Sequence, residues 1–246
     1  MTQTHEAPDK LLDRVRKLLA KAEDESCTPP EAEALTAKAA ELMAKYGIDR
    51  ALLAAVKPET DQPGSKFIEI DNPWGRVKAH LLCGLGSVLR CQAIMITTRS
   101  GLRVHMFGYE SDLERLDVLY TSILMQMWHG MAVTRVPDRA SPRSWRRSWL
   151  LGFTSAVIAR VRLAEAQAIT NQNTADGGVA PGRKSGAEMV LADRSLVIRN
   201  ALKAEYPVVR NVRLTYSGSG YGDGHQAGQR ADIGQGRVSN STRALA

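Results

Sequence analysis

Apolar residues return every three or four positions over Lys10–Ala22, at Leu11, Leu12, Val15, Leu18, Leu19 and Ala22, a spacing that predicts an amphipathic helix. The pattern breaks after Glu23 and restarts where Thr28 precedes Pro29, Pro30 and Glu31. Thr28 reads as an N-cap and Glu31 as the third helical residue of a capping box. This second helix is expected to stop at Gly47, a left-handed C-cap. Residues 1–56 thus read as a helical hairpin with Ala32, Leu35, Ala39, Leu42, Met43 and Tyr46 inside. Lys57–Ser65 is a linker by composition.

Residues 66–134 switch between the two periods. Phe67–Ile70 alternates as a strand, a helix starts around Asn72-Pro73-Trp74 and runs through Val88, and Gln92–Thr98 and Leu102–Phe107 make a hairpin about Ser100-Gly101. Ser111–Trp128 returns to helical spacing, with Ser111 as the cap. In residues 135–246, Ser141 before Pro142 marks another helix start, and Trp145, Trp149, Gly152, Phe153, Ala156 and Val157 form one face as the helix extends toward Ile169. Asn171–Gly186 has no hydrophobic period and reads as a mobile loop. Met189–Tyr206 reads as a helix ended by Pro207, Val208–Tyr216 as a strand, and Gly218–Gly236 as a glycine-rich stretch with a helix over 223–233. Together these elements predict an α+β fold, mostly helical, in which the N-terminal hairpin joins a small mixed sheet packed by helices.

Charge sharpens this picture. The net charge is +7, but residues 1–134 carry 16 Lys and Arg against 18 Asp and Glu, whereas residues 135–246 carry 17 against 8. The excess is mostly arginine, which is suited to paired hydrogen bonds with phosphate. Arg143, Arg146 and Arg147 fall in the first turns of the helix that starts at Pro142, where free backbone N–H groups and the positive end of the helix dipole also attract anions. Single-stranded nucleic acid is held by cationic grooves with aromatic stacking surfaces. Trp145 and Tyr221, together with Arg143, Arg146, Arg147, Arg183, Lys184, Arg210, Arg213 and Arg230, are therefore the candidate nucleic-acid-binding set. Of the four tryptophans, Trp145 fits an apolar stripe least well and is the one expected at the surface. The glycines from Gly218 to Gly224 could also turn backbone N–H groups toward an anion.

Other chemistry is sparsely represented. No H-E-x-x-H pair, G-x-S-x-G elbow, phosphate loop or dinucleotide fingerprint occurs, so no metal site or cofactor is expected. His105, Glu110 and Asp112 are the one compact trial set for an enzymatic role, which is the least supported reading. Cys27, Cys83 and Cys91 are too few and too irregular for a disulfide framework. No apolar run approaches the roughly 20 residues of a membrane span, and Met1–Lys10 lacks a secretory pattern, so a cytoplasmic protein without a membrane partner is expected.

Several strings resemble a known family. Lys17-Leu18-Leu19-Ala20-Lys21-Ala22, Pro30-Glu31-Ala32-Glu33-Ala34 and the run from Ala37 to Asp49 are similar to the signature of the domain of unknown function 2786, found in bacteria and bacteriophages. Met106–Asp112, Ser144–Phe153 and Ala227–Gly234 are similar to segments that follow the hairpin in longer, often phage-borne members. The resemblance implies a whole-chain relative, but no reaction and no catalytic residues. The leading expectation is a non-catalytic accessory protein that binds DNA or RNA through its arginine-rich C-terminal half. The alternative is a module whose hairpin presents Leu35, Leu42 and Met43 to a protein partner.

Overall fold

The computed structural model describes residues 29–99, 101–175, 177–178, 184–209, 218–231 and 233, together with Arg14, Val15, Lys17, Leu18 and Lys21, which are helical. Side chains of residues 29–37 and of Ala40 are outside the description. The elements in order are α1 (Pro29–Val56), a short 3-10 turn (Pro58–Thr60), β1 (Pro63–Ile70), α2 (Gly75–Val88), β2 (Gln92–Thr97), β3 (Leu102–Tyr109), α3 (Glu110–Val133), α4 (Pro142–Ala175), α5 (Gly186–Glu205) and α6 (Tyr221–Arg230). The fold is α+β and mostly helical, with one three-stranded sheet in the order β1-β3-β2, antiparallel throughout.

β1 starts earlier than its alternation suggests, because an edge strand can begin at Pro63 without losing a ladder hydrogen bond. The inner face of the sheet, with Ile68, Ile70, Val104 and Met106, packs with α2 and α3 into the main core. Trp145, Trp149, Phe153 and Val157 of α4 complete that core. The segments 66–134 and 135–246 therefore share one interior. α5 lies across the outer face of the sheet, where Phe107 meets Ile198 and Leu202.

α1 does not end at Gly47 but continues to Val56. A glycine inside a helix costs about 1 kcal/mol relative to alanine, and the reason for it lies opposite: a Cβ at Gly47 would overlap the Arg115 guanidinium. Arg115 is fully buried and belongs to an ionic network. It donates to Asp112 (3.2 Å) and to Glu165; Arg90 donates to the same two carboxylates (3.3 and 3.2 Å). Arg194 of α5 donates to Asp112 (3.3 Å) and to Asp61 (2.6 Å). Burial works against the Arg90 charge, but Asp112 and Glu165 beside it outweigh that penalty and hold its pKa above the ordinary arginine value. Asp61, from the loop before β1, accepts both the backbone N–H (3.0 Å) and the hydroxyl (2.6 Å) of Ser111 in the first turn of α3. The expected cap Ser111 is thus the residue being capped.

The glycine-rich segment is a helix docked by close approach. Gly220, Gly224 and Gly228 recur at four-residue steps and face Trp145, Trp149 and Phe153 of α4, while Gly152 faces Tyr221 and His225 in return. A Cβ at Gly220 would stand 2.5 Å from the Trp145 carbonyl oxygen, and one at Gly228 would stand 2.5 Å from that of Phe153. The Gly220 N–H donates to Ser148 Oγ (3.0 Å). Cys83 and Cys91 are free; burial pushes the Cys83 thiol up to about 11 and that of Cys91, near Asp112, up to about 12.

Gly224→Ala should destabilise the protein by about 1–3 kcal/mol in urea unfolding, because the new methyl meets the Trp149 carbonyl, whereas Gly222→Ala, with nothing within 4 Å, should be neutral or stabilising. Asp112→Asn should cost about 3–5 kcal/mol, because it strips a shared counter-charge from three buried guanidinium groups. Asp117→Asn, which removes an exposed partner of Lys66, should cost less than about 1 kcal/mol in the same assay.

Candidate nucleic-acid interface

Helix direction determines where the free positive charge lies. α6 runs parallel to α4, since Gly220, Gly224 and Gly228 meet Trp145, Trp149 and Phe153 in the same order. α2 is also parallel to α4: Gly84 lies against Ile158, and Arg90 just beyond the end of α2 reaches Glu165. α3 runs the other way, with Gly130 against Trp149 and Arg115 at Glu165. Three helices therefore begin at one end of the molecule, within about two turns of each other along α4, and their free N–H groups and positive dipole ends gather there.

The loop from α3 into α4 crosses this pole and carries Arg135 and Arg139; the first turns of α4 add Arg143, Arg146 and Arg147. All five are exposed. Asp138 is the one carboxylate in that stretch, and its pairing with Arg135 at 3.3 Å leaves both side chains 85% exposed. Among the described residues, Arg139, Arg143 and Arg146 have no ion-pair partner. Arg76, in the first turn of α2, is exposed at the same end, and Lys78 holds its Nζ 5.5 Å over the Trp128 ring there. Asp71, before α2, and Asp223, in the first turn of α6, are the carboxylates on the neighbouring elements.

Some of the candidates from the sequence meet here and others do not. Arg143, Arg146 and Arg147 lie together in the first turns of α4, and Tyr221 opens α6 at the same end of the molecule, 45% exposed and stacked near His225 with ring centroids 6.1 Å apart. Trp145 does not qualify as a stacking surface. It is 1% exposed, because Gly220 lets α6 lie directly over its indole, so the expectation of an exposed Trp145 is corrected. Arg230 is exposed at the far end of α6 and donates to Gln226 of its own helix. Lys184 is exposed beside the start of α5, which meets the other end of α4 through Glu188 and Asn173. That end of α4 is roughly 40 Å from Arg147 at 1.5 Å per residue. Arg183, Arg210 and Arg213 lie outside the described residues, as does most of the strand expected over Val208–Tyr216.

The competing candidates are dispersed or covered. His105 sits on the outer sheet face with Nδ1 2.8 Å from the Tyr206 hydroxyl and Phe67 stacked at 3.9 Å, Asp112 is inside the ionic network, and Glu110 is exposed. The three form no joint site. Met43 is buried with Val15, Ala39 and Tyr46, and Leu42 packs against the same cluster with Val118 of α3. The two are therefore occupied within the chain, and the side chain of Leu35 is outside the description. Among the described residues, no group of three His, Cys, Asp or Glu is placed to hold a metal ion, and no helix is long and apolar enough to cross a membrane.

Arg135 and Arg139 stand outside the candidate set drawn from the sequence. Their signal was present in the density of arginine around Pro137 and Pro142, but nothing in the chain's local pattern places that loop at the start of three parallel helices.

Compared with curated proteins and with solved structures, the chain has no match in either. Residues 10–50, the segment that carries Met43, Tyr46 and Gly47, match the model of the family described as Protein of unknown function (DUF2786), the family that the Lys17–Ala22 and Ala37–Asp49 strings resemble.

Proposed function

We propose that this protein binds nucleic acid without catalysing a reaction on it, and that the pole at the start of α2, α4 and α6 is the surface that does so. The observation that supports this reading is the collection of the exposed Arg135, Arg139, Arg143, Arg146 and Arg147 in a stretch whose one carboxylate is Asp138, at an end where three helix dipoles point their positive ends outward. Exposed guanidinium groups at several angles suit the repeating phosphates of a polymer better than one enclosed ligand. Tyr221 supplies one exposed ring for stacking on a base, so single-stranded DNA or RNA is the preferred form. Contacts of this kind read the backbone, and little sequence preference is expected. A cytoplasmic, accessory role in a bacteriophage or its bacterial host fits this reading and the resemblance of the longer segments.

Arg143→Ala, Arg146→Ala and Arg147→Ala combined should weaken binding to single-stranded DNA or RNA by at least about tenfold, roughly 1.4 kcal/mol, in fluorescence anisotropy at moderate salt. Lys184→Ala, at the other end of α4, should leave affinity nearly unchanged. The melting temperature of the triple variant should also hold, since these side chains are exposed. Unchanged affinity in a folded triple variant would remove the proposal.

A further inference from the structure

The two faces of α5 are unlike in setting but not in character. On the inner face Ala187 and Leu191 are buried with Ile48 and Ala51 of α1, Ile198 and Leu202 are buried with Phe107 of the sheet, and Arg194 enters the ionic network. The opposite face carries Met189 and Leu196, 55% and 52% exposed. At 3.6 residues per turn these two stand nearly in line, two turns apart. The exposed Ala192 lies between them, and Val197 flanks the line, also exposed. An apolar seam of this spacing is the surface one helix offers to another, and no element among the described residues covers it.

Charge selects the occupant. Asp193 stands beside the seam in the N-terminal half of α5, and Arg199 and Lys203 stand beside it in the C-terminal half. All three are exposed, and among the described residues none has an ion-pair partner. A second α5 laid antiparallel about Leu196 places the two Leu196 side chains together and sets each copy's Asp193 opposite the other's Arg199. The same register lays the aliphatic stem of Lys203 on Met189 and puts the small Ala192 opposite Asn200, where it lets the backbones approach. A parallel pair would oppose Asp193 to Asp193 and Arg199 to Arg199, so like charges disfavour it. We propose that α5 is the contact surface of a twofold dimer of this chain, with the two copies of the helix packed antiparallel through Met189, Ala192 and Leu196. A pair of helices about 30 Å long covers less than the roughly 1,200–2,000 Å² of a standard stable interface, so the dimer forms and dissociates reversibly. It uses none of the arginines of the cationic pole.

Sedimentation equilibrium of the full chain, freed of nucleic acid, tests this over about 1–200 µM protein, where a reversible dimer with a Kd of about 1–100 µM is expected. Leu196→Glu brings two carboxylates together at the twofold axis and should raise the Kd at least about tenfold with the circular dichroism unchanged, since the side chain is exposed; Leu196→Lys serves if that variant does not fold. Asp193→Arg alone should weaken the dimer to a similar degree, because it faces Arg199 of the other copy. Asp193→Arg combined with Arg199→Asp exchanges the charges and should return the Kd to within about threefold of the unaltered protein. A chain still monomeric at about 200 µM, a dimer unaffected by a folded Leu196 variant, or a folded charge-exchanged chain that stays as weak as Asp193→Arg would overturn the assignment.

Discussion

Three arginines and three carboxylates meet in the interior, and the arrangement of the helices depends on keeping them matched. Arg90 arrives from the end of α2, Asp112 and Arg115 from α3, Glu165 from α4, Arg194 from α5 and Asp61 from the loop before β1. Buried ion pairs of this kind offset their own desolvation and add little net stability, but losing one partner is costly because the remaining charge stays out of water. Five segments are thereby held to one mutual register. α1 is tied to the same network through Gly47, which leaves room for the Arg115 guanidinium where any side chain would collide. Gly47 lies in the segment that matches the family model, so the most recognisable part of the chain is also the part shaped to receive this buried charge.

The network has a consequence at the surface. The buried arginines are paired with buried carboxylates, and among the described residues Arg135, Arg139, Arg143, Arg146 and Arg147 stand exposed at the end where α2, α4 and α6 begin. Parallel helices concentrate charge in a way antiparallel ones do not, because their dipoles add at one end. The parallel pairing of α4 with α6 is possible at close range only because glycines at 220, 224 and 228 leave the Trp145, Trp149 and Phe153 backbone accessible. Packing and electrostatics are in this respect one arrangement: the glycines that bury Trp145 also start α6 at the end of the molecule where α4 carries its arginines.

Local pattern in the chain revealed the elements better than their partners. The apolar stripes of α2, α3, α4 and α5 were plain, as were the β2–β3 hairpin and the start of α4 at Pro142, because each is decided by neighbours within a few residues. Gly47 misled for the opposite reason: its purpose is a residue 68 positions away, so a rule about helix ends assigned it a local role it does not have. Local pattern puts Trp145 at the surface because its cover, Gly220, is distant in the chain and comes from a glycine-rich stretch. The four-residue glycine spacing was visible, but only its partner on α4 gives it meaning. Likewise the arginines of α4 were found from the sequence, whereas their separation from Lys184 by the length of a helix was not.

Exposed guanidinium groups meeting a polymer of phosphates carry the proposed binding, and its salt dependence measures it most directly. Binding of single-stranded DNA or RNA to the unaltered protein should weaken steadily as salt rises, with a logarithmic slope corresponding to about three to five phosphates released from counterions. A slope near zero, or no binding even at low salt, would contradict it.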